Sequence, residues 1–185
     1  MTWRPPEPDP YLELADDARL RDAVAARSEQ RRRRDLAAEL ATWTGTLRDL
    51  AERAVPVVVG LAGAAPHRAV IAAVGLDHLA LRLHAGGVVL VALEVVRTVR
   101  PEPGQAAPVA TGDRERSQDR TLVEALARAA ESRQRIAVAI RDVDDPVTGQ
   151  LVGLGEDVLT LRADGEDQPT IYAPTDTIRE VLLDP

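Results

Sequence analysis

The chain has 185 residues, no cysteine, and a net charge of −7. That length suits one or two small domains and excludes a large enzyme with a deep core. Disulfides and Cys-ligated zinc are excluded, and a reducing compartment is compatible with the composition. Aromatic residues make up 2% of the chain and phenylalanine is missing, so Val, Leu, Ile and Ala must fill any core.

The start, Met1-Thr2-Trp3-Arg4-Pro5-Pro6, lacks the apolar stretch of a signal peptide. The longest nearly unbroken apolar run, Val55 to Ala65, is shorter than the roughly 20 residues a bilayer-crossing helix needs. A cytoplasmic protein with no membrane segment is expected. Charge is unevenly spread: residues 55–100 carry 4 Arg against 2 acids, whereas residues 135–185 carry 4 Arg against 11 acids. The first stretch attracts anions mildly and the second repels a phosphate backbone.

In chain order, residues 1–9 read as a disordered Pro-rich start. Asp9-Pro10 has the form of a helix N-terminus, and residues 10–44 read as a long N-terminal helix of strong helix formers. Leu36, Leu40, Trp43, Leu47 and Leu50 step by four, three, four and three, a heptad-like apolar seam that Thr44-Gly45 breaks or kinks. After Pro56 the pattern changes to period two in short Val-rich runs, the mark of strands. Residues 46–100 therefore form a first β-rich module. Residues 101–118, with Pro101, Pro103, Gly104, Pro108 and Gly112, read as a linker. Residues 119–185 form a helix from Thr121 onwards and a second β-rich module.

Shifting the chain by 80 residues lays Gly75-Leu76-Asp77-His78-Leu79-Ala80-Leu81-Arg82 over Gly155-Glu156-Asp157-Val158-Leu159-Thr160-Leu161-Arg162, with five of eight positions identical. Each unit is preceded by a short helix, beginning at Thr46-Leu47 or Thr121-Leu122. This is an internal repeat. In the turn, Gly75 and Gly155 are expected to supply a positive φ, while Asp77 and Asp157 hydrogen-bond within it. The Leu-x-Leu that follows points both leucines into a core and the Arg outward.

The second copy reads Gly149-Gln150-Leu151-Val152-Gly153, then Asp157 and the alternating Leu159 and Leu161. This segment resembles the first sequence motif of the Sm-like family, which belongs among the small SH3-like β-barrels. The resemblance implies a short helix and about five strands closing into a small barrel, single-stranded RNA binding, and assembly into rings by edge-strand pairing. The expected fold class is therefore α+β: a long N-terminal helix followed by two repeated small Sm-like barrels, each preceded by a short helix. The family's RNA-site Asn falls on Ala80 and Thr160, and its Arg-Gly pair falls on Ala92-Leu93 and Pro174-Thr175, so that RNA site is not retained.

Candidate site residues are few. The run Arg31-Arg32-Arg33-Arg34 has the composition of a nucleic-acid patch, but Glu29 to Arg33 and Arg31 to Asp35 are also i,i+4 pairs of a solvated helix face. His67, Arg68, Arg82 and His84 form a candidate anion or RNA contact on the first module. His78, Arg82 and His84 share a strand face by parity, outward if the leucines point in. Asp142, Asp144 and Asp145 fail the calcium-loop test, because the sixth and twelfth positions hold Val147 and Gly153. Ser28, Ser117 and Ser132 have no histidine near them in sequence, and no Gly-rich phosphate loop appears. No enzyme activity, metal or cofactor is expected. The expected function is a non-enzymatic interaction or assembly protein that binds another protein or itself. The alternative is an RNA-associated protein using module one and the Arg31–Arg34 run.

Overall fold

A computed structural model describes residues 22, 24–33, 35, 39, 41–104 and 119–183. Ala41 and Thr42 are not helical; Thr42 is extended (φ −99°, ψ 157°), and its hydroxyl accepts a hydrogen bond from the Gly45 amide. Thr42 thereby caps a new helix, α1 (Trp43–Glu52), whose Leu47 and Leu50 lie one turn apart and are buried. Ala54, at φ +49°, turns the chain out of the helix into β1 (Pro56–Leu61). β2 (His67–Val74), β3 (His78–Leu83) and β4 (Val88–Ala92) follow. A single 3-10 turn, Leu93–Val95, then leads into β5 (Val96–Pro101).

The second half follows the same order. Thr121 and Glu124 form a reciprocal capping box for α2 (Leu122–Glu131), and Arg133 at φ +50° mirrors Ala54. β6 (Arg135–Ile140), β7 (Val147–Leu154), β8 (Val158–Ala163) and β9 (Thr170–Pro174) come next. The 3-10 turn Thr175–Thr177 and β10 (Ile178–Leu183) complete the set. Corresponding hairpins share their irregularities: the register shifts between Ile71 and Ala73 in β2, and between Leu151 and Gly153 in β7.

All ten strands belong to one sheet, in the order β5-β1-β2-β3-β4-β10-β6-β7-β8-β9, with every neighbouring pair antiparallel. This overturns the expected α+β fold of a long helix and two separate barrels. The physical reason is β4. Instead of closing onto β5 of its own half, it hydrogen-bonds β10 of the other, with Glu180 opposite Val91, Val181 opposite Leu90, Leu182 opposite Val89 and Leu183 opposite Val88. The expected helix over 10–44 falls largely outside the described residues. Those described within it at 22, 24–33, 35 and 39 are helical, but the break at Ala41-Thr42 separates them from α1.

Two apolar cores lie along this sheet. Leu47, Val57, Ile71, Leu79, Leu81 and Val91 build the first. Leu126, Ile136, Leu151, Leu159, Leu161 and Val181 build the second, with Leu90 contributed by β4. Leu81 and Leu161 are fully buried in equivalent places, each stabilising the fold by about 1.5–3 kcal/mol. Successive β4 residues point to opposite faces, so Val89 and Val91 enter the first core while Leu90 enters the second. β4 is therefore an interior strand, covered on both sides.

Candidate interaction surface: the joint and the open edges

The two halves meet along β4 and β10. The turn before β3 receives the start of α2: the Asp77 carboxylate accepts a hydrogen bond from the Leu122 amide at 2.7 Å, and the Leu76 amide donates to the Arg120 carbonyl at 2.9 Å. Leu122 is 5% exposed and Leu90 also 5%, both buried by this contact. Gly75 is buried here, and its φ is not positive, contrary to the turn role expected for it. A Cβ at Gly75 would collide with the His78 ring and stand 2.8 Å from the Arg120 carbonyl oxygen. Close approach, not turn geometry, requires this glycine.

Polar groups complete the joint. His67 Nε2 lies 2.7 Å from Glu180 Oε2, tying β2 to β10. Arg179 donates to the Ala62 carbonyl at 2.7 Å, and Arg141 pairs with Glu94. A cleft of about 420 Å³ beside these groups is lined by Arg97, Arg141 and Arg179. Each of these arginines already has a partner, since Arg97 donates to the Glu94 carbonyl at 2.7 Å. A second cleft of about 490 Å³ lies between Asp77, Leu122 and Thr175.

The residues singled out in the sequence scatter. Arg68 and Arg82 are exposed on one face of β2 and β3, with His84 beside the Arg68 backbone, its amide donating to the Arg68 carbonyl. His67 departs from this group. Strand alternation puts it on the opposite face, with Ala69 and Ile71, where it meets Glu180. His78 does lie on the parity face of Arg82, yet it is 1% exposed, because α2 and its approach cover that end of the face. Asp157 and Gly155, the counterparts of Asp77 and Gly75, are both exposed, and among the described residues no helix start rests on them.

Arg31, Arg32 and Arg33 are exposed helical residues, and Arg33 bonds Glu29 at 2.9 Å; Arg34 lies outside the described residues. Of the apolar seam, Leu36 and Leu40 also lie outside them. Leu47 and Leu50 enter the first core, and Trp43 stays 45% exposed.

Sequence reasoning missed Arg100. It lies opposite Val58 in the β1–β5 pairing, and Val58 lies opposite Arg68 in the β1–β2 pairing, so Arg100, Val58 and Arg68 form one cross-strand row. Arg68, Arg82 and Arg100 make no ion pair among the described residues, while His84 stands 3.7 Å from the Glu102 carboxylate. The signal in the sequence was positional: Arg100 sits at even spacing from Thr98 within a strand.

Among the described residues, nucleophiles and metal ligands do not gather. The Ser28 and Ser132 hydroxyls donate to backbone carbonyls, and each histidine faces a carboxylate. Among the described residues no group of three or more His, Cys, Asp or Glu could hold a metal ion, and no helix is long and apolar enough to cross a membrane.

The outermost strands are β5 and β9. β9 corresponds to β4, and its Tyr172, in the place of Leu90, is 70% exposed. Comparison with protein-family models finds no match, and comparisons with curated proteins and with solved structures find none either.

Proposed function

We propose that this is a non-enzymatic interaction protein: a duplicated β module whose outer sheet edges bind a protein partner by adding a strand. The observation that carries the reading is that β5 and β9 are the outermost strands of a ten-stranded sheet, each with a neighbouring strand on one side only among the described residues. Such edges template further pairing unless they are blunted. The three histidines, Ser28 and Ser132 support a non-catalytic role, since each is engaged by a carboxylate or a backbone carbonyl. The likeness of residues 149–161 to the Sm-like motif supports a shared ancestry of the module with that family. We place the protein in the cytoplasm on its composition.

Hydrogen exchange on the full chain, alone and in extract of its own cells, tests this reading. Partner binding protects amides of Thr98–Val99 or Ile171–Ala173 beyond their solvent rates. Free exchange at both edges under every condition rejects it.

A second reading has its own observation. Arg68, Arg82 and Arg100, without ion pairs among the described residues, offer a cationic face on the half whose net charge is positive. This favours single-stranded RNA held by its phosphates. Binding that falls steeply with added salt supports it; no binding at low salt removes it.

A further inference from the structure

We infer that the arginine-lined cleft at the joint is a binding site for a small phosphate ester of a hydroxylated compound, such as a phosphorylated sugar, held by both halves of the chain at once. This goes beyond the edge-binding reading and stands without it.

The repeat builds the site. Arg97 is the second residue of β5 and Arg179 the second of β10, so the two arginines hold the same place in the two halves. Ala62 and Arg141 are counterparts too, each following the last residue of β1 or β6. Their amides donate at 2.8 Å to the Val95 and Thr177 carbonyls, at the ends of the two 3-10 turns. Gly63 and Asp142 come next, both at positive φ, +63° and +59°. These corresponding pieces line one cleft of about 420 Å³, a volume within the range of small-ligand sites. The cleft forms because β10 packs beside β4, which brings Arg141 and Arg179 to Glu94 and Ala62 of the first half. β9 has no such neighbour among the described residues, so the second half builds no equivalent.

The three guanidiniums are held in place. Arg97 donates to the Glu94 carbonyl at 2.7 Å and Arg141 to the Glu94 carboxylate, so one residue sets two of them side by side. Arg179 is anchored on the Ala62 carbonyl at 2.7 Å. The space beside Gly63 is open, since a Cβ there meets nothing nearer than the Arg179 guanidinium at 3.9 Å. Each guanidinium keeps further N–H donors beyond the one it uses. Planar forks arriving from separate segments suit a tetrahedral phosphate, whose terminal oxygens face several directions, better than a planar carboxylate.

Charge placement points the same way. Residues 135–185 carry 4 Arg against 11 acids, and two of those four, Arg141 and Arg179, face this cleft. Glu94 is engaged with Arg141, which leaves the Asp142 carboxylate to accept hydroxyl groups of the ligand. None of the three arginines stands where the Sm-like resemblance places its RNA contacts, at Ala80, Thr160, Ala92-Leu93 and Pro174-Thr175.

Calorimetric titration of the full chain with ribose 5-phosphate, ribose and inorganic phosphate, at constant ionic strength, tests the site. The expected result is saturable binding of ribose 5-phosphate, weaker binding of inorganic phosphate and none of ribose. Arg97→Gln and Arg141→Gln change exposed residues outside both cores, and each weakens binding at least about tenfold. Arg97→Lys keeps the charge, loses the fork and weakens it too. Arg162→Gln, at an exposed arginine away from the cleft, leaves it unchanged. Ribose 5-phosphate at saturation also raises the unfolding midpoint of the unmodified chain.

No saturable binding of ribose 5-phosphate overturns the inference. So does binding that Arg162→Gln weakens as much as Arg97→Gln, which marks a general attraction to cations. Ribose binding as well as its phosphate, or inorganic phosphate binding as tightly as the ester, overturns the assignment of a phosphate ester.

Discussion

The Asp77 carboxylate of the first half holds the Leu122 amide of the second at 2.7 Å, so one carboxylate links a β-turn to the start of a helix in the other half. The first amides of a helix have no partner within it, and a negative charge beside them is favourable. Asp157, in the corresponding turn, is exposed and holds no helix start among the described residues.

Asp77→Ala is therefore expected to lower stability by about 1 kcal/mol, the usual worth of a capping contact. Asp157→Ala should stay within about 0.5 kcal/mol in the monomer. Urea midpoints of the two variants, measured at one low protein concentration, check the contrast.

Gly75→Ala forces a methyl group into the His78 ring and the Arg120 carbonyl, and costs about 1–3 kcal/mol. Gly155→Ala meets only Val158, whose nearest atom is a side-chain methyl at 3.0 Å, and costs less. Thermal unfolding of the pair measures the difference.

Leu90→Ala removes a side chain that reaches from β4 into the opposite core, at a cost of about 2–5 kcal/mol. Tyr172→Ala, at the matching exposed site, should change monomer stability by no more than about 0.5 kcal/mol. Denaturant titration at low concentration distinguishes the two; equal losses would contradict the assignment of β4 as interior and β9 as edge.

If single-stranded RNA is held on the cationic face, replacing Arg68, Arg82 and Arg100 together by Ala should reduce the slope of log affinity against log salt by about 2. An unchanged slope would move the contact elsewhere, for example to Arg31, Arg32 and Arg33.

The strands, their turns and the likeness of the halves were legible because local signals carry them. The Leu-x-Leu pairs and the Thr121 cap depend on residues near one another in sequence, whereas the roles of Gly75 and Asp77 do not, being set by Arg120 and Leu122, 45 residues further along the chain. Pairing of β4 with β10 was not legible in the same way, because alternation fixes which face a residue takes and not which edge its backbone bonds. One clue was present. Val88-Val89-Leu90-Val91-Ala92 is apolar at every position, as a strand covered on both faces must be. Its counterpart Thr170-Ile171-Tyr172-Ala173-Pro174 carries polar residues or proline at alternate positions, as befits an edge. The parity of His78 was likewise readable, whereas the helix that covers it comes from distant sequence. Trp43 and Leu47 lie one turn apart on the same side of α1, but Trp43 is the first residue after the Thr42 cap and stays 45% exposed, outside the first core that Leu47 enters.

Of the ten strands, β10 is the last to leave the ribosome, yet it takes a central position between β4 and β6. The N-terminal core draws its buried residues from Leu47 to Val96 and can form early, leaving Leu90 bare. The C-terminal core needs Ile178 and Val181 from β10 as well as Leu90. During synthesis the first half thus becomes a waiting template, and its uncovered β4 is the surface most in need of a chaperone until the final strand arrives.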